Sequence, residues 1–308
     1  MRKIIQKIVV VLLTASILMP SFGLASEIRL EPEMSEHNVD DLFILDVQFF
    51  GDECINAAGV EINYPQQILT GEDTITGSSI FELWPEGPEI DNSEGRVIFS
   101  GGIPGGICVE DKASLLEIVF RVGETSMRVT DKITVVDGQV YPDDGTGTAL
   151  DAEFQDAYFR VIPERSAVPI DPWKERLQED RLPPEEFDPE IRRDPSISDG
   201  KYVVVFSTVD RQTGIDYYKV SEVKRIGFIE VGEKQWEKTE SPHLLEDQSL
   251  ASIIRVKAVD RAGNKRVEEI HPPYGIWDYG PWVGLLVIVF VVIYLKKRKK
   301  KDLKIEWS

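Results

Sequence analysis

Ala57-Ala58-Gly59-Val60-Glu61-Ile62-Asn63-Tyr64 (AAGVEINY) decides how this chain is read. From Val60 onward it alternates apolar with polar, which puts Val60, Ile62 and Tyr64 on one face and Glu61 and Asn63 on the other. That is the pattern of a half-buried strand. Similar short segments recur on both sides: Leu42 to Phe50 (LFILDVQFF), Arg96 to Ser100 (RVIFS), Leu115 to Val122 (LLEIVFRV), Ile133 to Val136 (ITVV) and Ala157 to Ile162 (AYFRVI). Gly, Asp, Asn and Pro separate them, and no segment keeps helical periodicity for long. Many short strands with turn residues between them predict an all-β sandwich or jelly roll over residues 26–162.

Beyond Ile162 the text changes. Residues 163–195 hold seven prolines and are rich in charge, so they read as a semi-stiff linker that forms no sheet and buries little. One short helix is expected to start at Asp171, with Pro172 at its first helical position. A second strand-rich unit follows over 196–270, with Tyr202 to Ser207, Tyr217 to Val220, Phe228 to Val231 and Ile253 to Val259 as its strands. Its length suits a small immunoglobulin-like sandwich. Residues 271–279 lead out of it.

The two ends predict export and anchoring. Arg2, Lys3 and Lys7 precede the apolar run Ile8 to Leu18, and Gly23-Leu24-Ala25 offers small residues for cleavage, so 1–25 reads as a secretory signal peptide. Residues 280–295 read as a transmembrane helix, followed by the basic tail 296–308, which begins Lys296-Lys297-Arg298-Lys299-Lys300-Lys301. The run from Pro281 to Leu295 rises only about 22 Å as a helix, short of a hydrocarbon core of roughly 30 Å. Trp277, Tyr279 and Trp282 at one boundary, Tyr294 at the other and snorkelling lysines make up the difference. The basic tail belongs in the cytoplasm, which predicts a single-pass cell-membrane protein with its N-terminal ectodomain outside.

Charge narrows the partners. Of 35 Lys+Arg and 54 Asp+Glu, three basic residues lie in 1–25, and seven basic and two acidic residues lie from Lys296 on. The ectodomain keeps 25 basic and 52 acidic groups, a net −27 that disfavours nucleic acid. The three histidines, His37, His243 and His271, stand near no nucleophile or ligand cluster in sequence, and no catalytic or phosphate-binding motif is present. The reading is therefore non-enzymatic.

An ordered set of segments carries a resemblance. Leu45-Asp46-Val47, Ala57 to Pro65, Gly95-Arg96-Val97-Ile98-Phe99-Ser100-Gly101-Gly102, Leu115 to Phe120 and Asp144-Gly145-Thr146-Gly147-Thr148 together resemble the cohesin / carbohydrate-binding-module superfamily of bacterial surface proteins. The second unit resembles bacterial immunoglobulin-like or fibronectin-like modules, through Gly214 to Tyr218 and Val256 to Asn264. The resemblance implies a cohesin-like jelly-roll sandwich on an immunoglobulin-like stalk. Its partner would be a polysaccharide or a dockerin-like module, which in cohesins docks a calcium-loaded helical pair on one sheet face. If the strand from Ala57 pairs antiparallel with the strand from Arg96, Cys54 and Cys108 approach each other, and a disulfide is expected.

Several residues are candidates for binding. Trp84 lies in a Pro-containing segment that must be a loop or an edge. There it either stacks on a sugar ring, with Glu82 and Glu86 accepting hydroxyl hydrogen bonds, or closes one end of the core. Tyr64 before Pro65 has the same two readings. Asp143, Asp144 and Asp151 around the Gly-Thr-Gly-Thr turn offer ligands for a structural calcium ion or are a plain acidic turn, and no other cofactor is expected. Gly101-Gly102-Ile103-Pro104-Gly105-Gly106 reads as a strand bend. Two further functions stand beside binding: an envelope spacer with no ligand, and a glycoside hydrolase with two carboxylates.

Overall fold

The structure, a computed structural model, describes residues 26–195, 198–226, 229–231, 235–271 and 280–305. The expected signal peptide and the residues Trp277 and Tyr279 lie outside these. The chain forms two compact units, Met1–Glu179 and Asp180–Ser308.

In the first unit the strands are β1 (Glu27–Glu31), β2 (Met34–Val39), β3 (Leu42–Gly51), β4 (Cys54–Asn63), β5 (Leu69–Ile75), β6 (Leu83–Asp91), β7 (Arg96–Cys108), β8 (Asp111–Val122), β9 (Val129–Pro142), β10 (Glu153–Gln155) and β11 (Ala157–Arg165). They make a five-stranded sheet in the order β10-β1-β3-β8-β5 and a six-stranded sheet in the order β2-β11-β9-β4-β7-β6. The alternation in β4 does what its period requires: Val60 and Ile62 are buried, while Glu61 is half-exposed. Phe43, Leu45, Val47 and Phe49 of β3 meet Phe99 of β7 and Phe159 of β11 in one core.

β8 departs from alternation because both of its faces are covered. Leu116, Ile118, Phe120 and Val122 enter the core. On the other face Val119 packs with Leu42 and Ile75 under Trp173, which stands on helix α1 (Pro172–Glu179). The helix starts where the sequence places it, with the Lys174 amide donating to the Asp171 carboxylate at 2.9 Å as an N-cap.

The second unit holds β12 (Glu190–Arg193), β13 (Tyr202–Val205), β14 (Ile215–Ile226), β15 (Ile229–Val231), β16 (Glu237–Thr239), β17 (His243–Leu244), β18 (Ser252–Asp260) and β19 (Lys265–Ile270). One sheet runs β12-β13-β17 and the other β15-β14-β18-β19, with β16 on β14. Phe187, Val204, Phe206, Val220, Leu245, Ile254, Val256 and Ala258 form their common core.

This corrects the linker reading of 163–195. Phe187 is buried, and Glu190–Arg193 pairs antiparallel with Tyr202–Val205, so the segment supplies a strand and a core residue. Strand pairing uses backbone groups, which charged side chains leave free, and prolines on either side of a four-residue strand do not interrupt it.

A buried-side carboxylate organises the turn before β18. Asp247 accepts the amides of Ser249, Ala251 and Ser252 at 2.9, 3.0 and 2.8 Å, and the Ser252 hydroxyl at 2.7 Å. Desolvation alone would raise its pKa, but the hydrogen bonds from Ser249, Ser252 and Ala251 outweigh it and bring it from 3.8 down to about 2. A depressed carboxylate contributes stability above its unfolded pKa and loses it as pH falls through the folded one. Acid unfolding of the second unit is therefore expected to lose on the order of 1 kcal/mol between roughly pH 4 and pH 2 through this group, less than the full shift because solvent reaches the carboxylate and screens it. Asp247→Asn should flatten that limb when stability is measured by denaturant midpoint against pH.

The last described helix is α2 (Gly280–Ile305), whose side chains are described from Val283 to Lys296. Its apolar residues are exposed, Phe290 at 74% and Leu286 at 68%. Among the described residues no helix is long and apolar enough to cross a membrane.

Candidate functional site

The two sheets of the first unit present different outer faces. On the five-stranded sheet α1 covers the centre. The Arg176 guanidinium donates to both oxygens of Glu117 at 2.6 and 2.9 Å, and the Ser78 hydroxyl donates to the same carboxylate at 2.6 Å. The Trp173 indole N–H donates to Asp73 Oδ2 at 3.2 Å. This face holds the carboxylate pair a hydrolase would need, since Asp46 stands opposite Glu117 across β3 and β8. Desolvation raises the Asp46 pKa against the hydrogen bonds from Gln48 and Ser114. Glu117, however, is buried in a bidentate ion pair, the arrangement of a structural clamp rather than of a proton donor open to substrate.

The six-stranded sheet is different. Among the described residues the first unit has one helix, and it lies on the other sheet. The outward row of β4 is Ala57, Gly59, Glu61 and Asn63. Across β7 these face Gly102, Ser100, Ile98 and Arg96, and across β9 Ala57, Gly59 and Glu61 face Tyr141, Gln139 and Asp137. The edge strand β6 extends the rows with Leu83 opposite Gly102 and Glu89 opposite Ile98. The centre is low, because its side chains are Gly, Ala and Ser. The margins carry Glu61, Glu89, Asp91 and Asp137, with Arg96 set against Glu61 and Glu94, and with Lys132 and Arg160 paired to Asp156 and Glu36 farther out on β9 and β11. Such a surface is a low-centred platform, suited to a broad complementary surface rather than to a small molecule.

Gly101 makes room for Phe81 against the inner side of this sheet. A Cβ there would lie 2.3 Å from Cδ2 of Phe81, which is buried at 1% exposure. The bend expected at residues 101–106 is present as the end of β7, with Gly105 and Gly106 at positive φ.

The sequence candidates fall in separate places. Trp84 lies on the edge strand β6 and packs edge-on to Phe81 at 5.8 Å and tilted to Phe99 at 6.2 Å, so its indole caps the core. Tyr64 is 5% exposed, stacks edge-on to Phe120, and donates its hydroxyl to Asn92. That burial withholds it from a ligand and corrects its candidacy as a contact residue. Glu82, two residues before Trp84, is half-buried, and the side chain of Glu86 lies outside the described residues. Asp143, Asp144 and Asp151 are exposed and are not gathered into a ligand set; Asp144 instead accepts the Thr146 amide within its own turn. Among the described residues the carboxylates that do converge are Asp180, Asp210 and Asp260 of the second unit. Cys54 and Cys108 stand directly opposite each other on β4 and β7 and are joined by a disulfide.

The chain is similar in fold to solved cohesins. It matches a non-cellulosomal cohesin from the archaeon Archaeoglobus fulgidus at 17% identity over 45% of this chain and 91% of that one, with a TM-score of 0.38. It matches the seventh ScaB type I cohesin of Pseudobacteroides cellulosolvens at 13% identity over 47% and 96%, with a TM-score of 0.38. A type I cohesin of Clostridium thermocellum solved as a cohesin–dockerin complex matches at 11% identity over 45% and 99%, again at 0.38. No known family's sequence profile matches the chain, and neither does any curated protein.

Proposed function

We propose that the first unit is a non-catalytic docking module whose six-stranded sheet receives a dockerin-type protein. In this reading the second unit is an immunoglobulin-like stalk element, and α2 anchors the chain in a membrane with both units outside. The observation that carries the docking reading is the contrast between the two outer faces: one sealed by Trp173 and the Arg176–Glu117 pair, the other low and small-centred. The sequence resemblance supplies the partner class. A disulfide persists outside the reducing cytosol, which supports export. The sequence supports the anchor: the apolar run Pro281 to Leu295 stands directly before Lys296, and boundary aromatics and snorkelling lysines lengthen a span that the described part of α2 is too short to make alone.

The test is capture of calcium-loaded dockerin modules by the full chain in detergent micelles, compared with Ser100→Arg. Ser100 is half-exposed at the centre of the platform, so an arginine there stands in the partner's path without entering the core. The expected outcome is capture weakened by roughly a hundredfold, as for the centre of an interface. Capture that Ser100→Arg leaves unchanged would sink the platform as the docking face. Binding to polysaccharides in place of dockerins, lost in Trp84→Ala, would move the function to glycan recognition. Protease access to both units on intact cells checks the orientation.

A further inference from the structure

We infer that Asp180, Asp210 and Asp260 of the second unit bind a divalent cation of the calcium class, independently of the docking platform. The three residues come from distant parts of the sequence: the segment before β12, the connection from β13 to β14, and the end of β18. They are 4%, 4% and 1% exposed, and each offers an oxygen within 4.8 Å of the others. Two oxygens that share one calcium ion at about 2.4 Å each are at most about 4.8 Å apart. The spacing is that of a shared ligand.

The hydrogen bonds around the cluster hold the carboxylates without using all of them. Asp210 Oδ1 accepts the amides of Gln212, Thr213 and Gly214 at 3.1, 2.8 and 3.0 Å. The Thr213 hydroxyl donates to Asp180 Oδ2 at 2.6 Å, and the Asn264 side-chain amide lies 3.3 Å from Asp180 Oδ1. Asp260 Oδ1 accepts the Asn264 amide at 2.7 Å, but its Oδ2 is buried with no hydrogen-bond partner. A buried carboxylate oxygen left unpaired is costly, and three carboxylates within one ion's reach repel one another. A cation removes both penalties at once. The all-oxygen donor set, with no histidine or thiolate in it, selects a hard ion over zinc or copper. Bound there, the ion ties the entry segment of the second unit to two loops at one end of its sandwich.

Thermal unfolding of the full-length chain in detergent, in EGTA and in rising calcium chloride, tests this. The second unit's transition is expected to rise by roughly 10 °C at a calcium concentration 100 times Kd, with one ion bound per chain by calorimetry. Asp260→Asn should abolish that response. In EGTA the same variant should melt at or above the wild type, because it relieves repulsion; this opposite sign separates lost binding from lost folding. Asp143→Asn with Asp144→Asn should keep the full response. If Asp260→Asn does not fold, the wild-type titration still decides. No shift up to about 10 mM calcium, magnesium or manganese, well above the range of extracellular sites, overturns the inference. So does a calcium shift that survives in Asp260→Asn.

Discussion

Replacing Cys54 and Cys108 together by serine is expected to lower the stability of the first unit by about 4 kcal/mol. The bridge joins residues 54 apart in sequence, and the loop it closes runs from the start of β4 through β5 and β6 to the end of β7. Cutting it returns that loop's freedom to the unfolded state, and chain entropy alone gives a cost of this size. Other terms are small here. Both cysteines are exposed, so serine leaves no cavity, and the pair sits at one end of the β4–β7 ladder rather than in its middle. The core built on Phe49, Phe99, Phe120 and Phe159 is untouched, so the variant should still fold. The measurement is the urea midpoint of the first unit's transition, which should fall by about 2 M for a slope near 2 kcal/mol/M. Wild type treated with a reductant should reach the same lower midpoint. If the variant and wild type coincide, the unfolded chain already holds these strands together, and the bridge does not set the stability of the fold.

How far the fold could be read depended on how many faces of each element are buried. β4 was legible because one face meets the core and the other meets solvent, so Val60-Glu61-Ile62-Asn63 prints its geometry directly. β8 was legible for the opposite reason: with both faces covered, Leu115 to Phe120 is almost unbroken apolar text. β5 and β6 were not read as strands. They contain Gly71, Pro85, Gly87 and Pro88, and each pairs on one side only, where turn-forming residues are tolerated. The same one-sidedness hid β12 inside charged text.

The candidate sites were legible to a different degree. The disulfide was legible only through the family resemblance, which implied that the strand from Ala57 pairs with the strand from Arg96. The acidic centre did not, because Asp180, Asp210 and Asp260 are separated by two whole connections, and only folding brings them together. The one local signal is Asp260-Arg261-Ala262-Gly263-Asn264, the residues of a tight turn leaving a strand, in which Asp260 accepts the Asn264 amide. The small residues of the platform carried no signal either. Gly59, Ser100 and Gly102 look like ordinary strand interruptions until the register sets them in rows.

Trp173→Ala is expected to detach α1 from the five-stranded sheet while leaving the opposite face competent. Trp173 is 7% exposed and covers Leu42, Ile75 and Val119, and truncating a buried tryptophan costs about 3–5 kcal/mol where the surroundings cannot collapse. An eight-residue helix has little stability of its own. Once its anchor is gone, it should open locally instead of pulling the sandwich apart. The Arg176–Glu117 pair clamps the helix only together with Trp173 and is too weak to hold it alone, because Arg176 is 40% exposed along its side chain and solvent screens part of the attraction. Amide exchange in 172–179 should therefore speed up by roughly a hundredfold or more, since about 3 kcal/mol corresponds to that factor. Exchange in β4 and β7 should barely move. Dockerin capture should also be unchanged, because the platform lies on the other sheet. If Trp173→Ala abolished capture as strongly as Ser100→Arg, with the core intact by amide exchange, the functional surface would be the covered face. α1 would then be part of the receptor, and the contrast between the two faces would have been read in the wrong direction.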